Sequence, residues 1–192
     1  METQIRELLI KNIGVNRFNH SLGVMETSIK LAIKYNGDID KAKIAGLLHD
    51  CGKYPDLMYL LKRVSEFDII LDDVMKLNKE LIHGPLGSKI AEFEYMIKDK
   101  EILDSIYYHT TGRENMTLLD KIVYLADYIE PGRVFPGVDK VRELAFQNLN
   151  QSVLLSMEST LKFLLDHNKL IHMETIKARN YLLSREKSEK DV

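Results

Sequence analysis

The sequence predicts an all-α fold, a single helical bundle of roughly eight to ten helices. Three observations carry it. Apolar residues recur at steps of three and four through most of the 192 residues. Asn, Asp, Thr, Gly and Pro punctuate those runs where helices start and stop. No segment alternates apolar and polar residues between hairpin turns. With no internal repeat, low-complexity stretch or linker, residues 1–185 read as one domain, and EKSEKDV, residues 186–192, as a polar tail expected to fray.

The elements run in order along the chain. In RFNHSLGVMETSIKLAIKYNG, the residues Phe18, Leu22, Met25, Ile29, Ala32 and Ile33 share one face, and Asn36-Gly37 supplies a stop. Asp38 or Asp40 caps the next helix, whose Ala42, Ile44, Ala45, Leu47 and Leu48 predict broad burial up to His49-Asp50. Gly52 and Pro55 break the pattern. DLMYLLKRV then reads as a helix, FDIILDDVMKLNKEL as a longer helical region, and His83-Gly84-Pro85 as a corner. GSKIAEFEYMI and EILDSIYYH come next, the second delivering His109 into the loop TTGREN. Thr117 and Asp120 offer a cap for TLLDKIVYLADYI, with Leu118, Leu119, Ile122, Leu125, Ala126 and Ile129 as its buried face. After PGRVFPG come VDKVRELAFQNL, SVLLSMESTLKFLLDHN and ETIKARNYLLSRE.

Composition narrows the function classes. With 27 basic against 29 acidic residues, the net charge of -2 gives no global attraction to nucleic acid or an anionic membrane, so any cationic site is local. The lone cysteine, Cys51, makes no internal disulfide and reads as a packing residue, and a reducing cytoplasm is the expected compartment. METQIRELLIKNIG interrupts its apolar residues with charges, unlike a secretory signal, and no stretch nears the roughly 18 apolar residues of a membrane helix.

The anomaly is a set of imidazoles and carboxylates on otherwise apolar helices: His20, His49, Asp50, His83, His109 and Asp127. A single helical histidine is more often a hydrogen-bonded or partly exposed residue than a ligand. The doublet His49-Asp50 says more, because burying a carboxylate beside an imidazole is costly unless something compensates both, and a metal cation is one such partner. Neighbours on a helix diverge by about 100°, but at a helix end both can lean toward one point. Imidazole with carboxylate suits iron, manganese or zinc, while one cysteine excludes a thiolate-rich zinc site.

The order His, His-Asp and a distant Asp, as in NHSLGV, LLHDCGK and YLADYIEPGR, resembles the HD-domain superfamily of metal-dependent phosphohydrolases. With HGPLG and YYHTTGR between, the chain is similar to the YqeK-type symmetrical diadenosine tetraphosphate hydrolases. HTTGRENMTLLDKIVYLADYIEPGR is the most specific phrase, LIHMETIKARNYLL resembles that family's C-terminal end, and the likeness spans residues 17–182. It implies a nucleotide hydrolase that cleaves diadenosine tetraphosphate and related dinucleoside polyphosphates to two ADP by metal-activated water. The implied cofactor is one or two divalent ions, iron foremost, with manganese or others as alternatives. Two other readings are hydrolysis of a different nucleotide, such as a guanosine polyphosphate or a nucleoside monophosphate, and a non-hydrolytic iron-binding helical protein. Lys53 and Arg133 argue against the last, since dioxygen binding gives no reason to gather cations.

Carried over by position, the resemblance implies that His20, His49, Asp50 and Asp127 hold the primary metal. His83 and His109 either hold a second ion or face the substrate around a single one. His49, Asp50 and Lys53 are the implied catalytic residues. Arg17, one helical turn before His20, and Lys53, three positions after Asp50, are candidate phosphate contacts, although Lys53 alone also reads as a solvated lysine. Arg113 and Arg133 both sit in glycine-containing turns, and Arg133 is favoured because Arg113 reads equally as a loop charge. Thr110 and Thr111 offer hydroxyls to phosphate or caps to the preceding segment. Ile171, His172 and Met173 are expected at the nucleoside, while Arg179 and Asn180 read equally as structural. No nucleic-acid or membrane partner is expected, and the many apolar helix faces leave room for a homodimer.

Overall fold

The computed structural model describes residues 2–188. Among these the chain forms eleven α-helices and no strand: α1 (Glu2–Ile13), α2 (Val15–Lys34), α3 (Ile39–Leu48), α4 (Leu57–Glu66), α5 (Asp73–Leu77), α6 (His83–Phe93), α7 (Lys100–Tyr108), α8 (Leu118–Ile129), α9 (Val138–Ala145), α10 (Leu149–Asp166) and α11 (Met173–Ser188). Side-chain caps set most starts: Asp38, Asp56, Asp99 and Asn148 each accept a backbone N–H of the first turn, satisfying donors the helix leaves open. Thr117 and Asp120 form the reciprocal capping box expected for α8.

Two segments differ from expectation. The region 67–81 is not one longer helix: α4 stops at Phe67, Asp68 turns back with φ 50, and only α5 and a 3-10 turn, Lys79–Leu81, are helical. The apolar run Ile69-Ile70-Leu71 has no helical period, and Asp72 and Asn78 each cap the short turn that begins after them. His83-Gly84-Pro85 is not a corner but the first turn of α6. Pro85 falls where a helix has no N–H partner, so it costs no hydrogen bond. The helix count exceeds the expected range through α1 and the five-residue α5.

α8 is the centre of the packing, against α2, α3, α7, α9 and α10. Its predicted face is buried except Leu118, which begins the helix and stays exposed, as Ile33 does near the end of α2. Two glycines set the close approaches that matter for the site. A Cβ on Gly46 of α3 would lie 2.9 Å from Met25 Cα of α2, and one on Gly84 of α6 would lie 2.5 Å from the Tyr107 carbonyl oxygen of α7. Only glycine lets these backbones approach so closely. At the C-terminus α11 continues to Ser188, where Gln151 Nε2 donates to Glu186 at 3.2 Å. Residues 189–192 of the expected tail lie outside the described residues. No helix among the described residues is long and apolar enough to cross a membrane.

Candidate metal centre and active site

Asp50 follows the end of α3 with a side chain 3% exposed, and its two oxygens face different partners. Oδ2 lies 3.4 Å from His49 Nε2 and 3.7 Å from His20 Nε2, and accepts from Arg17 Nη1 at 3.0 Å. Oδ1 lies 3.0 Å from His83 Nε2 and 3.6 Å from His109 Nε2. Asp127 of α8 brings Oδ1 within 3.0 Å of His20 Nε2 and 3.8 Å of His49 Nε2. All six imidazole and carboxylate positions picked out in the sequence therefore meet at one place. The glycine contacts explain how: the α2–α3 approach brings His20 to His49, and the α6–α7 approach brings His83 to His109.

The outer nitrogens are tied down. His49 Nδ1 pairs with the Gly46 carbonyl at 2.8 Å, and His109 Nδ1 with the Ile106 carbonyl at 2.7 Å. Both carbonyls belong to a helix end that leaves them without an intrahelical partner. His20 Nδ1 is 3.0 Å from Glu130 Oε1, and the buried Glu130 also accepts the Gly132 N–H. Acceptors at Nδ1 assign the proton there and turn the Nε2 lone pair inward.

That arrangement fits a cation. The inward lone pairs of His20 and His49 face carboxylate oxygens, acceptors toward acceptors, and His20 Nε2 and His49 Nε2 are buried without a hydrogen-bond partner. The groups His20–His49–Asp50, His49–His109–Asp127 and Asp50–His83–His109 each place their ligand atoms within 4.8 Å of one another. Nitrogen and oxygen donors without thiolate suit a hard or borderline divalent ion. The pKa directions agree. Burial opposes a charge on His49, but the Asp50 and Asp127 carboxylates outweigh it and hold its pKa above the ordinary value. Burial would likewise raise Asp50 and Asp127, yet the surrounding imidazoles, joined at Asp127 by Arg133, hold both far below the usual carboxylate range. His83 is lowered to about 4, chiefly by burial, which leaves it a neutral ligand.

Three cations ring the centre. Arg17 bonds Asp50, and Arg133 donates Nη2 to Asp127 Oδ1 and Nε to the Asp127 carbonyl at 2.9 Å. Lys53 Nζ lies 3.3 Å from Glu80 Oε2. Arg113 points elsewhere: it bonds the buried Asp120 at 2.8 Å and Asp104 at 3.0 Å, tying the loop after α7 to the start of α8. Arg179 is held by Glu158 and Asn180, so it fastens α11 to α10. The Cys51 thiol is buried, donates to the Gly87 carbonyl, and has its pKa pushed up by burial.

A cavity of about 350 Å³ opens beside the centre, floored by His83, His109 and Asp127 and rimmed by Lys53 and Arg133. Its wall carries Tyr124, Tyr128, Phe135, Leu164, Leu170 and His172. Tyr128 and Phe135 meet edge to face, ring centroids 5.1 Å apart. Two further hollows share this border: one of about 650 Å³ beside Arg17, His20 and Arg133, and one of about 230 Å³ beside Arg17, Lys53 and His83. Thr110 lines the first cavity, whereas Thr111 donates to the Gly112 carbonyl in its own turn. His172 reaches the wall and also bonds Asp72 at 2.6 Å, but Ile171 and Met173 do not line it. Leu170 and His172, two positions apart in the stretch before α11, share the wall.

Sequence reasoning missed Glu130, Glu80, Tyr128 and Phe135. Glu130 stands inside the phrase YLADYIEPGR, and an acid directly before Pro-Gly, so close to a candidate ligand, was the one available signal.

The profile of the HD domain family matches residues 17–132. A Staphylococcus aureus protein named symmetrical bis(5'-nucleosyl)-tetraphosphatase is 40% identical over 92% of this chain and 91% of its own length. A Bacillus subtilis protein of the same name is 41% identical over 88% and 90%. A Clostridium acetobutylicum crystal structure, described as a predicted HD superfamily hydrolase involved in NAD metabolism, superposes with a TM-score of 0.92. It is 45% identical, across 96% of this chain and 98% of that one.

Proposed function

The chain belongs to the HD domain family, and on that footing we propose that it is a metal-dependent hydrolase cleaving diadenosine tetraphosphate, and related dinucleoside polyphosphates, symmetrically to two ADP. One observation carries the chemistry: Asp50 is held between two pairs of imidazoles, and one of those pairs, His83 and His109, floors a cavity that joins cations to an aromatic wall. The relatives named for this reaction cover nearly the whole chain and support the choice of substrate.

His20, His49, Asp127 and Asp50 Oδ2 would hold one divalent ion, and His83, His109 and Asp50 Oδ1 a second, with iron the metal we favour. When bound, such ions supply Lewis acidity and lower the pKa of water from about 15.7 toward neutrality. The chain's own residues do the rest. The Nδ1 tethers of His20, His49 and His109 hold those rings at fixed angles. With the Asp50 and Asp127 carboxylates serving as metal ligands, Arg17 and Arg133 would be free to meet phosphate, and Lys53 would add a third cation. These cations offset the charge that grows on the departing oxygen as the bond between the middle phosphates breaks. Tyr128, Phe135 and His172 present flat surfaces to a base, and Thr110 offers a hydroxyl at the same wall. The reading includes a cytoplasmic location, residues 1–185 as one catalytic domain, and no nucleic-acid or membrane partner.

Product identity tests the proposal. Protein loaded with ferrous iron is incubated with diadenosine tetraphosphate and the products are resolved by ion exchange. ADP alone is expected, and AMP with ATP would refute symmetrical cleavage. A panel adding a guanosine polyphosphate, a nucleoside monophosphate and NAD, compared by kcat/KM, decides whether a different nucleotide is preferred.

A further inference from the structure

Each of the three cations at the centre has an acidic partner, but the partners differ in what releasing the cation costs. Arg17 is paired with Asp50, whose side chain is 3% exposed, and Arg133 with Asp127, at 22%. Releasing either arginine takes the guanidinium from a carboxylate that water reaches poorly. Lys53 is paired instead with Glu80, whose side chain is 59% exposed. Water solvates that carboxylate whenever the ammonium leaves, so this pair alone is cheap to open.

Position adds to this. Lys53, Glu80 and His83 line both the 350 Å³ cavity and the 230 Å³ hollow, so the pair stands on the border between them, beside an imidazole of the centre. Glu80 belongs to the 3-10 turn Lys79–Leu81, with its backbone N–H held by Asn78 Oδ1 at 3.2 Å. Its backbone is anchored while its side chain reaches outward and can swing. Burial alone would raise its pKa, but Lys53 holds it below the ordinary value, so it is ionised. A site that had only to retain phosphate gains nothing from a carboxylate on this border, because it repels the ligand.

We propose that Glu80 is the exchange counter-ion of this site: it holds Lys53 in the free enzyme, yields it to a phosphate of the bound nucleotide, and reclaims it as ADP leaves. Glu80 thereby limits how tightly the enzyme retains its own product. The inference rests on the nucleotide phosphohydrolase reading.

The test measures ADP affinity by titration calorimetry on metal-loaded wild type, Glu80→Gln, Lys53→Met and the double variant, with dinucleotide turnover in parallel. Glu80→Gln should bind ADP about three- to tenfold tighter, with kcat and KM falling together as release slows. In the Lys53→Met background the same change should move ADP affinity by less than about twofold. Unchanged or weaker ADP binding in Glu80→Gln, or equal tightening with and without Lys53, would overturn the proposal. Failure of wild type to cleave the dinucleotide while ADP still binds would sink the substrate reading, and the four affinities would still judge the counter-ion.

Discussion

The centre around Asp50 and the cavity beside it are built on opposite plans. In the centre, three of the four histidines are tied at the outer nitrogen, two by the carbonyl three residues back at a helix end. The carboxylate between them is buried. Geometry there is set locally, and packing then brings finished units together. The cavity wall is assembled differently: Tyr128 on α8, Phe135 in the following loop, Leu164 on α10 and His172 before α11, itself held by Asp72, meet only through the tertiary fold. Reacting groups are held by short tethers, while recognition is shared among side chains drawn from several elements.

Substitutions separate the two plans. The largest effect is expected from Asp50→Asn, which removes the charge both imidazole pairs share: kcat/KM should fall roughly a thousandfold, with the helical circular dichroism unchanged. Next comes Glu130→Gln, which keeps the shape beside His20 but weakens the acceptor at Nδ1. Metal affinity, read by competition with a chelating dye, should drop about ten- to a hundredfold. In the wall, Phe135→Ala should raise KM about tenfold with little change in kcat, the signature of lost stacking on a base. Smallest in activity is Arg113→Ala. It strips the cation from the buried Asp120 and leaves only the capping bond from the Thr117 N–H, so chemical denaturation should show a loss of about 2 kcal/mol while kcat/KM stays within about twofold. A large activity loss there would show that the centre extends further along the chain than its geometry indicates.

The contrast also explains what the sequence disclosed. The six imidazoles and carboxylates stood out because charged and polar groups on apolar helix faces need a reason, and their order matched a known family. Helix caps such as Asp38 and the Thr117–Asp120 box were readable because they act over three residues. Glu130 was not, since an acid in a Pro-Gly turn looks like a surface charge until α2 packs against it. Tyr128 and Phe135 are seven positions apart, one helical and one in a loop, and only the intervening turn brings the rings together. Arg113 and Arg133 both read as cations in glycine-containing turns, with Arg133 favoured. Their acidic neighbours, Asp120 for one and Asp127 for the other, assign one to the scaffold and the other to the centre. Pro85 suited a corner and a first helical turn equally well, and packing of α6 on α7 decided between them.

The central claim is that Asp50 divides its oxygens between two metal positions. Its most direct test is metal content by elemental analysis, with protein concentration from amino-acid analysis, on protein prepared anaerobically. The account predicts two divalent ions per chain, falling to one or fewer in a His83→Ala, His109→Ala variant. A single ion per chain, retained in full by that variant, would contradict it and leave the two imidazoles as contacts to the substrate.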